Sequence, residues 1–176
     1  MDYWHDVSLG EKYPEEFHTI VEIPRGSANK YEIDKDTGLI KLDRVNHTAH
    51  YYPFDYGFIP QTYWHDEDPL DVVLLTTNPI APGILVECRA IGVIEMIDGG
   101  ESDNKIIAVP VEDPRFAEYQ DIGDIEPHKL KEAQHFFETY KDLQDKKVEV
   151  TAMKGKKEAI ACLEEGKKLY DDKFKK

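Results

Sequence analysis

Cysteine is scarce in this sequence: Cys88 and Cys162 are the only two in 176 residues, and they form no Cys-x-x-Cys spacing. Secreted domains stapled by disulfides carry many more, so no disulfide framework is expected and a reducing compartment is. Long hydrophobic runs are also missing. The runs present, Val72–Leu75 among them, fall far short of the roughly 20 apolar residues that a membrane-spanning helix needs. The first residues (Met1-Asp2-Tyr3-Trp4-His5-Asp6) lack the basic flank and apolar stretch of a secretory signal, so a cytoplasmic location is expected. Positive charge is in deficit: 22 Lys and Arg face 36 Asp and Glu, a formal net charge of −14. Such a surface repels nucleic acid and anionic lipid on average, which argues against a general role on either. No repeat, low-complexity block or Gly/Ser linker divides the chain, whose length suits one domain over residues 1–176.

What is present begins as strands. Thr19-Ile20-Val21-Glu22-Ile23 alternates and stops at Pro24-Arg25-Gly26. Lys30–Asp34 and Leu39–Arg44 flank Lys35-Asp36-Thr37-Gly38, a hairpin turn with Gly where positive φ is needed. Leu70–Thr77, Leu85–Glu95 and Lys105–Val111 follow as strands, the last two joined by a Gly-containing connection over 98–104. The period then changes. Leu130, Ala133, Phe137 and Tyr140 recur at three- and four-residue spacing, predicting a helix over Pro127–Gln144 with Pro at its start. A last helix is expected over Lys157–Leu169, with Ala159, Ile160 and Leu163 as its apolar face and Gly166 as a weak point. Strands first and helices last predict an α+β domain: a closed or nearly closed β-barrel with helices packed outside.

The strongest chemical signal is Asp66-Glu67-Asp68-Pro69-Leu70-Asp71. Pro69 biases Asp68 away from helix, so this stretch reads as an extended loop with Asp66 and Asp68 projecting to one side. Two bare carboxylates about 4 Å apart repel by roughly 4 kcal/mol at an effective dielectric near 20, a cost that a hard cation such as Mg2+ removes. A calcium loop of the EF-hand type does not fit. Starting at Asp66, its glycine position would be Asp71 and its final ligand Thr77; starting at Asp34, these would be Leu39 and Val45. Asp98 and Asp103 form a second acidic pair, while Glu22, Glu32 and Lys30 lie in neighbouring strands and project to one side. Glu22, Glu32, Asp66, Asp68, Asp71, Asp98 and Asp103, interspersed with Lys30, Arg44 and Lys105, describe a site for several Mg2+ ions and a phosphate-like anion. His47-x-x-His50 lacks a third ligand at zinc spacing and reads as surface or interface. The aromatics from Tyr51 to Phe58 read as core or subunit contact, with Tyr56 excepted.

The residues match a known family. Val21-Glu22-Ile23-Pro24, Lys30–Asp34, Asp43-Arg44, Tyr52-Pro53-Phe54-Asp55-Tyr56-Gly57, Asp66–Val72, Asp98–Lys105 and His135–Lys141 together resemble the soluble family I inorganic pyrophosphatases of bacteria and archaea. One departure is Glu67, where that family usually has a small or short polar residue. The resemblance implies a five-stranded, OB-like closed barrel with flanking C-terminal helices, several Mg2+ ions, and a cytoplasmic homohexamer. It implies hydrolysis of pyrophosphate, bound as its metal complex, by a magnesium-activated hydroxide without a covalent intermediate. Asp66, Asp71, Asp98 and Asp103 would ligate metal, with Glu22 and Glu32 as outer carboxylates. Lys30, Arg44, Tyr56, Lys105, Tyr140 and Lys141 would hold the phosphates, and Asp68 would take the proton from the attacking water. Two rivals remain: a metal-binding barrel module without turnover, and a phosphohydrolase acting on nucleotides or polyphosphate.

Overall fold

The computed structural model describes residues 1–175. Nine strands and two helices follow in order: β1 (Phe17–Ile23), β2 (Asn29–Ile33), β3 (Ile40–Val45), β4 (Asp55–Phe58), β5 (Asp71–Leu74), β6 (Leu85–Asp98), β7 (Glu101–Ser102), β8 (Lys105–Pro110), α1 (Pro127–Thr139), β9 (Val148–Gly155) and α2 (Lys156–Phe174). Strand β1 pairs with both β4 and β6, β5 joins β4 to β8, and β8 pairs with β6. The pairing therefore returns to its start, a ring of five strands. Strands β7 and β9 extend it from β6, and β2 and β3 form a separate hairpin.

Buried faces explain why several strands read as continuous apolar runs. Along β5 and β8, Val72, Leu74, Ile106 and Ala108 enter one core with Ala159, Cys162 and Leu163 of α2. Their alternates Val73, Ile107 and Val109 enter another, with Ala133, Phe136 and Phe137 of α1. Side chains alternate across a strand, so covering both faces leaves no polar phase. Each fully buried Leu or Phe in these layers contributes about 1.5–3 kcal/mol of transfer free energy. Among the described residues no helix is long and apolar enough to cross a membrane.

Four sequence expectations need correction. Strand β9 lies between the two helices and pairs along Gly92–Asp98 of β6, so strands do not all precede helices. The helix expected to reach Gln144 stops at Thr139, because the chain tightens into a 3-10 turn at Asp142–Gln144 and reverses at Asp145, φ 55°. Gly166, read as a weak point, does not interrupt the last helix, which runs past Leu169 to Phe174, and its carbonyl accepts the Tyr63 N–H at 2.9 Å. The segment around Glu67 is a turn rather than extended, since Glu67 adopts φ 68° and its N–H donates to the Trp64 carbonyl at 3.1 Å.

Candidate active site

All thirteen residues singled out from the sequence line one cleft of about 610 Å³: Glu22, Lys30, Glu32, Arg44, Tyr56, Asp66, Asp68, Asp71, Asp98, Asp103, Lys105, Tyr140 and Lys141. They arrive from different elements. Glu22 is the last residue but one of β1 and Tyr56 lies in β4, Asp71 opens β5, and Asp103 precedes Lys105 at the start of β8. The parallel pairing of β5 and β8 sets Asp71 directly against Lys105 in register. Lys30 and Arg44 are likewise paired partners on β2 and β3. Tyr140 and Lys141 follow the end of α1, where Phe136 and Phe137 anchor the last turn in the core.

The centre is a compact charge cluster. Lys105 Nζ donates to Asp71 Oδ2 at 2.6 Å and to Asp103, and the Tyr56 hydroxyl donates to the same Asp71 oxygen at 2.6 Å. Lys141 pairs with Asp98. Lys30 Nζ donates to Glu32 at 2.9 Å, and Arg44 to Asp43 at 2.8 Å. Glu22 is buried beneath the hairpin, and its Oε1 accepts the Ile33 N–H at 2.7 Å. The Arg44 Nε is buried with no hydrogen-bond partner among the described residues, an orphaned donor at the cleft.

The electrostatics are unbalanced. Ten carboxylates and six Lys or Arg line the cleft, so negative charge is in excess. Burial, then the neighbouring Asp71 and Asp103, pushes the Asp66 carboxyl up to about 8. Burial, then Asp71, pushes Glu22 up to about 8. Asp71 is raised by burial against the pull of Lys105. Asp103 is also penalised by burial, but Lys105 beside it wins and holds it below its ordinary value. Burial raises the Tyr56 and Tyr140 hydroxyls, so both remain protonated donors near neutral pH.

Such a cluster calls for more positive charge than the chain supplies. Its donors are all hard oxygen, the set that suits Mg2+ rather than a softer metal. Among the described residues, however, no group of three or more Asp, Glu, His or Cys is arranged to hold a metal ion. The reason is visible: Lys105 engages both Asp71 and Asp103. Charge and donor type therefore fit a divalent cation, while the spacing is that of carboxylates held by lysine.

No role for Lys35, Asp34 or Lys41 is read from the sequence, yet all three line the cleft from the hairpin turn and its flank. A lysine inside a turn motif carries no signal of where the turn will fold. Cys88 and Cys162 are free and buried, and burial pushes both thiols up to about 12. His50 lies away from the cleft, its Nε2 2.8 Å from Thr139 Oγ1 and its ring stacked on His135.

The sequence matches the family model described as inorganic pyrophosphatase over residues 19–171. It is 43% identical over 173 residues to the inorganic pyrophosphatase of Picrophilus torridus, covering 96% of this chain and 98% of that one. Against the inorganic pyrophosphatase of Geobacillus stearothermophilus it is 49% identical over 152 residues, covering 86% and 92%. Among solved structures, the inorganic pyrophosphatase of Thermus thermophilus superposes with a TM-score of 0.94 at 45% identity, covering 97% of this chain and 99% of that one.

Proposed function

The chain belongs to the family I soluble inorganic pyrophosphatases and is an inorganic diphosphatase; from that premise we propose that the cleft hydrolyses pyrophosphate, bound with several Mg2+ ions, by direct attack of water. The observation that carries this reading is the excess of hard oxygen donors around Lys105 beside a buried, unpartnered Arg44 Nε. The carboxylates outnumber the chain's own cations there, and Arg44 keeps one guanidinium N–H for an anion.

Asp66, Asp71, Asp98 and Asp103 would hold the metal ions, with Glu22 and Glu32 outside them. When bound, the cations would supply neutralising charge for the phosphates and lower the pKa of water from 15.7 toward about 7. Arg44, Lys30 and Lys141 grip phosphate oxygens, and the Tyr56 and Tyr140 hydroxyls donate to others. Lys105 balances Asp71 and Asp103 and faces the same anion. Asp68 accepts a proton from the attacking water as its oxygen bonds to phosphorus and the bridging P–O bond breaks. Both products are orthophosphate. Among the described residues no Ser, Thr, Cys or His lines the cleft, so no hydroxyl, thiol or imidazole nucleophile is offered to the phosphorus. Positive charge gathered on the leaving phosphate is the main demand of such a transfer.

The test is phosphate release from pyrophosphate, ATP and tripolyphosphate, each with Mg2+ and with chelator. Turnover of pyrophosphate in Mg2+ and none in chelator is expected. Asp68→Asn should lower kcat by about 10²–10⁴-fold, the range for a positioned acid or base, with little change in the Mg2+ needed for half-maximal rate. Arg44→Ala should weaken product inhibition by phosphate. Full turnover in chelator, or an unaffected Asp68→Asn, rules the mechanism out. We also read the five-strand ring as a closed, OB-like barrel and the working form as a cytoplasmic homohexamer. The exposed Leu39, Leu42 and Val45 support the assembly, which sedimentation equilibrium tests.

A further inference from the structure

Lys35 sits in the turn between β2 and β3, 33 positions before Asp68, yet its ammonium reaches the loop that carries Asp68. Three contacts meet at that nitrogen. It forms an ion pair with Asp68 Oδ1, donates to the Glu67 carbonyl at 3.4 Å, and stands 5.4 Å from the centre of the Trp4 ring. The turn under it is itself held. Gly38 N–H donates to the Asp34 carbonyl at 2.7 Å, Thr37 Oγ1 to Asp34 Oδ2 at 2.6 Å, and Lys41 Nζ to Asp34 Oδ1 at 2.8 Å. Trp4 is buried, with its indole N–H on the Thr62 carbonyl at 2.8 Å. Among the described residues Lys35 is the one cation that pairs with the Asp68 carboxylate.

We propose that Lys35 is a positioning residue for turnover: it fixes the Asp68 carboxylate against the left-handed turn at Glu67, with the Trp4 ring behind it. The proposal rests on the reading of Asp68 as proton acceptor. Both side chains of the ion pair are about half exposed, 52% and 50%, so the pair contributes little to folding stability. Orientation is another matter. Asp68 follows a residue at φ 68°, and among the described residues no second side chain pairs with its carboxylate, so losing Lys35 frees its rotamer. A reacting group displaced by about 1 Å can lose up to about 10²-fold in rate. Trp4 precedes the family-matched stretch, which begins at residue 19, so a residue outside that match backs the cleft.

The test is steady-state pyrophosphate hydrolysis in saturating Mg2+ by Lys35→Met and Lys35→Arg, each alone and combined with Asp68→Asn. Lys35→Met should lower kcat by about 5- to 30-fold while KM and the half-maximal Mg2+ concentration stay within about twofold. Thermal midpoints should stay close to that of the parent, and Lys35→Arg should recover most of the rate, since it restores the cation. In the Asp68→Asn background, Lys35→Met should change kcat by less than about twofold, because the group it positions is gone. An equal loss in both backgrounds, a loss confined to KM, no loss, or no recovery with arginine overturns the positioning role while leaving Asp68 as base. Full turnover by Asp68→Asn alone overturns the base and the positioning role together.

Discussion

Lys105 Nζ stands 2.6 Å from Asp71 Oδ2, with 4% of the lysine side chain and 19% of the aspartate side chain exposed. The contact joins the first residues of two parallel strands, β5 and β8, and Asp103 closes on the same nitrogen. One cation thus serves two acidic side chains in a poorly solvated place. Removing one member of a buried pair leaves uncompensated charge and costs about 3–5 kcal/mol. Lys105→Met should therefore lower the unfolding free energy of the metal-free protein at pH 8, measured by urea denaturation, by about 3–5 kcal/mol and move the midpoint down accordingly. Added Mg2+ should recover part of it, because the orphaned carboxylates gain a cation. An unchanged midpoint would mean that the lysine is dispensable to the cluster.

Gly57 is held by a different constraint. A Cβ built on it would lie 2.0 Å from the Ile20 carbonyl oxygen and 2.9 Å from its carbon. Both atoms belong to backbone in the β1–β4 pairing, so neither can rotate away. Overpacking a tight core contact costs about 1–3 kcal/mol and sometimes more. For a chain of this size, Gly57→Ala should lower Tm by at least about 2 °C, measured by calorimetry. Because these strands carry Glu22 and Tyr56 into the cleft, pyrophosphate turnover should fall as well.

Particular residues show what was legible beforehand and what was not. The alternation of Thr19–Ile23 and the turn at Gly38 announced β1 and the β2–β3 hairpin, and Gly38 does adopt positive φ, 70°. Strand β9 was hidden: its residues are mostly half-buried or exposed, so no apolar phase marks it, and it exists because β6 offers an edge. Strand β4 was hidden for the opposite reason, since all four of its residues are buried. The acidic motif and the family resemblance pointed to carboxylates that the fold does gather in one cleft. Lys35 was illegible, because its contact depends on a turn at Glu67 that the reading of Asp66–Asp68 as extended chain did not include. Distant partners chosen by backbone reversal leave no local pattern.

Glu67 is a residue with a Cβ in a conformation that side chains rarely adopt, φ 68°. Left-handed backbone costs a non-Gly residue about 1 kcal/mol or more, and glycine avoids it. Its side chain is exposed and lies outside the residues lining the cleft. Relief of strain should outweigh the extra chain entropy of glycine in the unfolded state. Glu67→Gly should raise Tm by about 2 °C with kcat little changed. A drop in Tm would show that the side chain, rather than the backbone, decides this position.

The raised carboxyls make stability depend on pH in a direction that metal should reverse. Asp66 and Glu22 both titrate at about 8 in the folded chain, against ordinary values of 3.8 and 4.5. Between those limits the native state binds more protons than the unfolded state, so stability declines as pH rises. The penalty is absent below about pH 4 and complete above the folded values near 8. Asp103, Asp34 and Asp171 are lowered instead, and their contributions change only below 3.8. They leave the window from pH 5 to 8 to the raised pair, joined by Asp71. In chelator, Tm should fall steadily across that window. Saturating Mg2+ favours the ionised carboxylates and should flatten or invert the slope, while Asp66→Asn should flatten it without metal. A chelated protein whose Tm rises from pH 5 to 8 would show that these carboxyls ionise freely on their own, and the cleft would then have no electrostatic need of a cation.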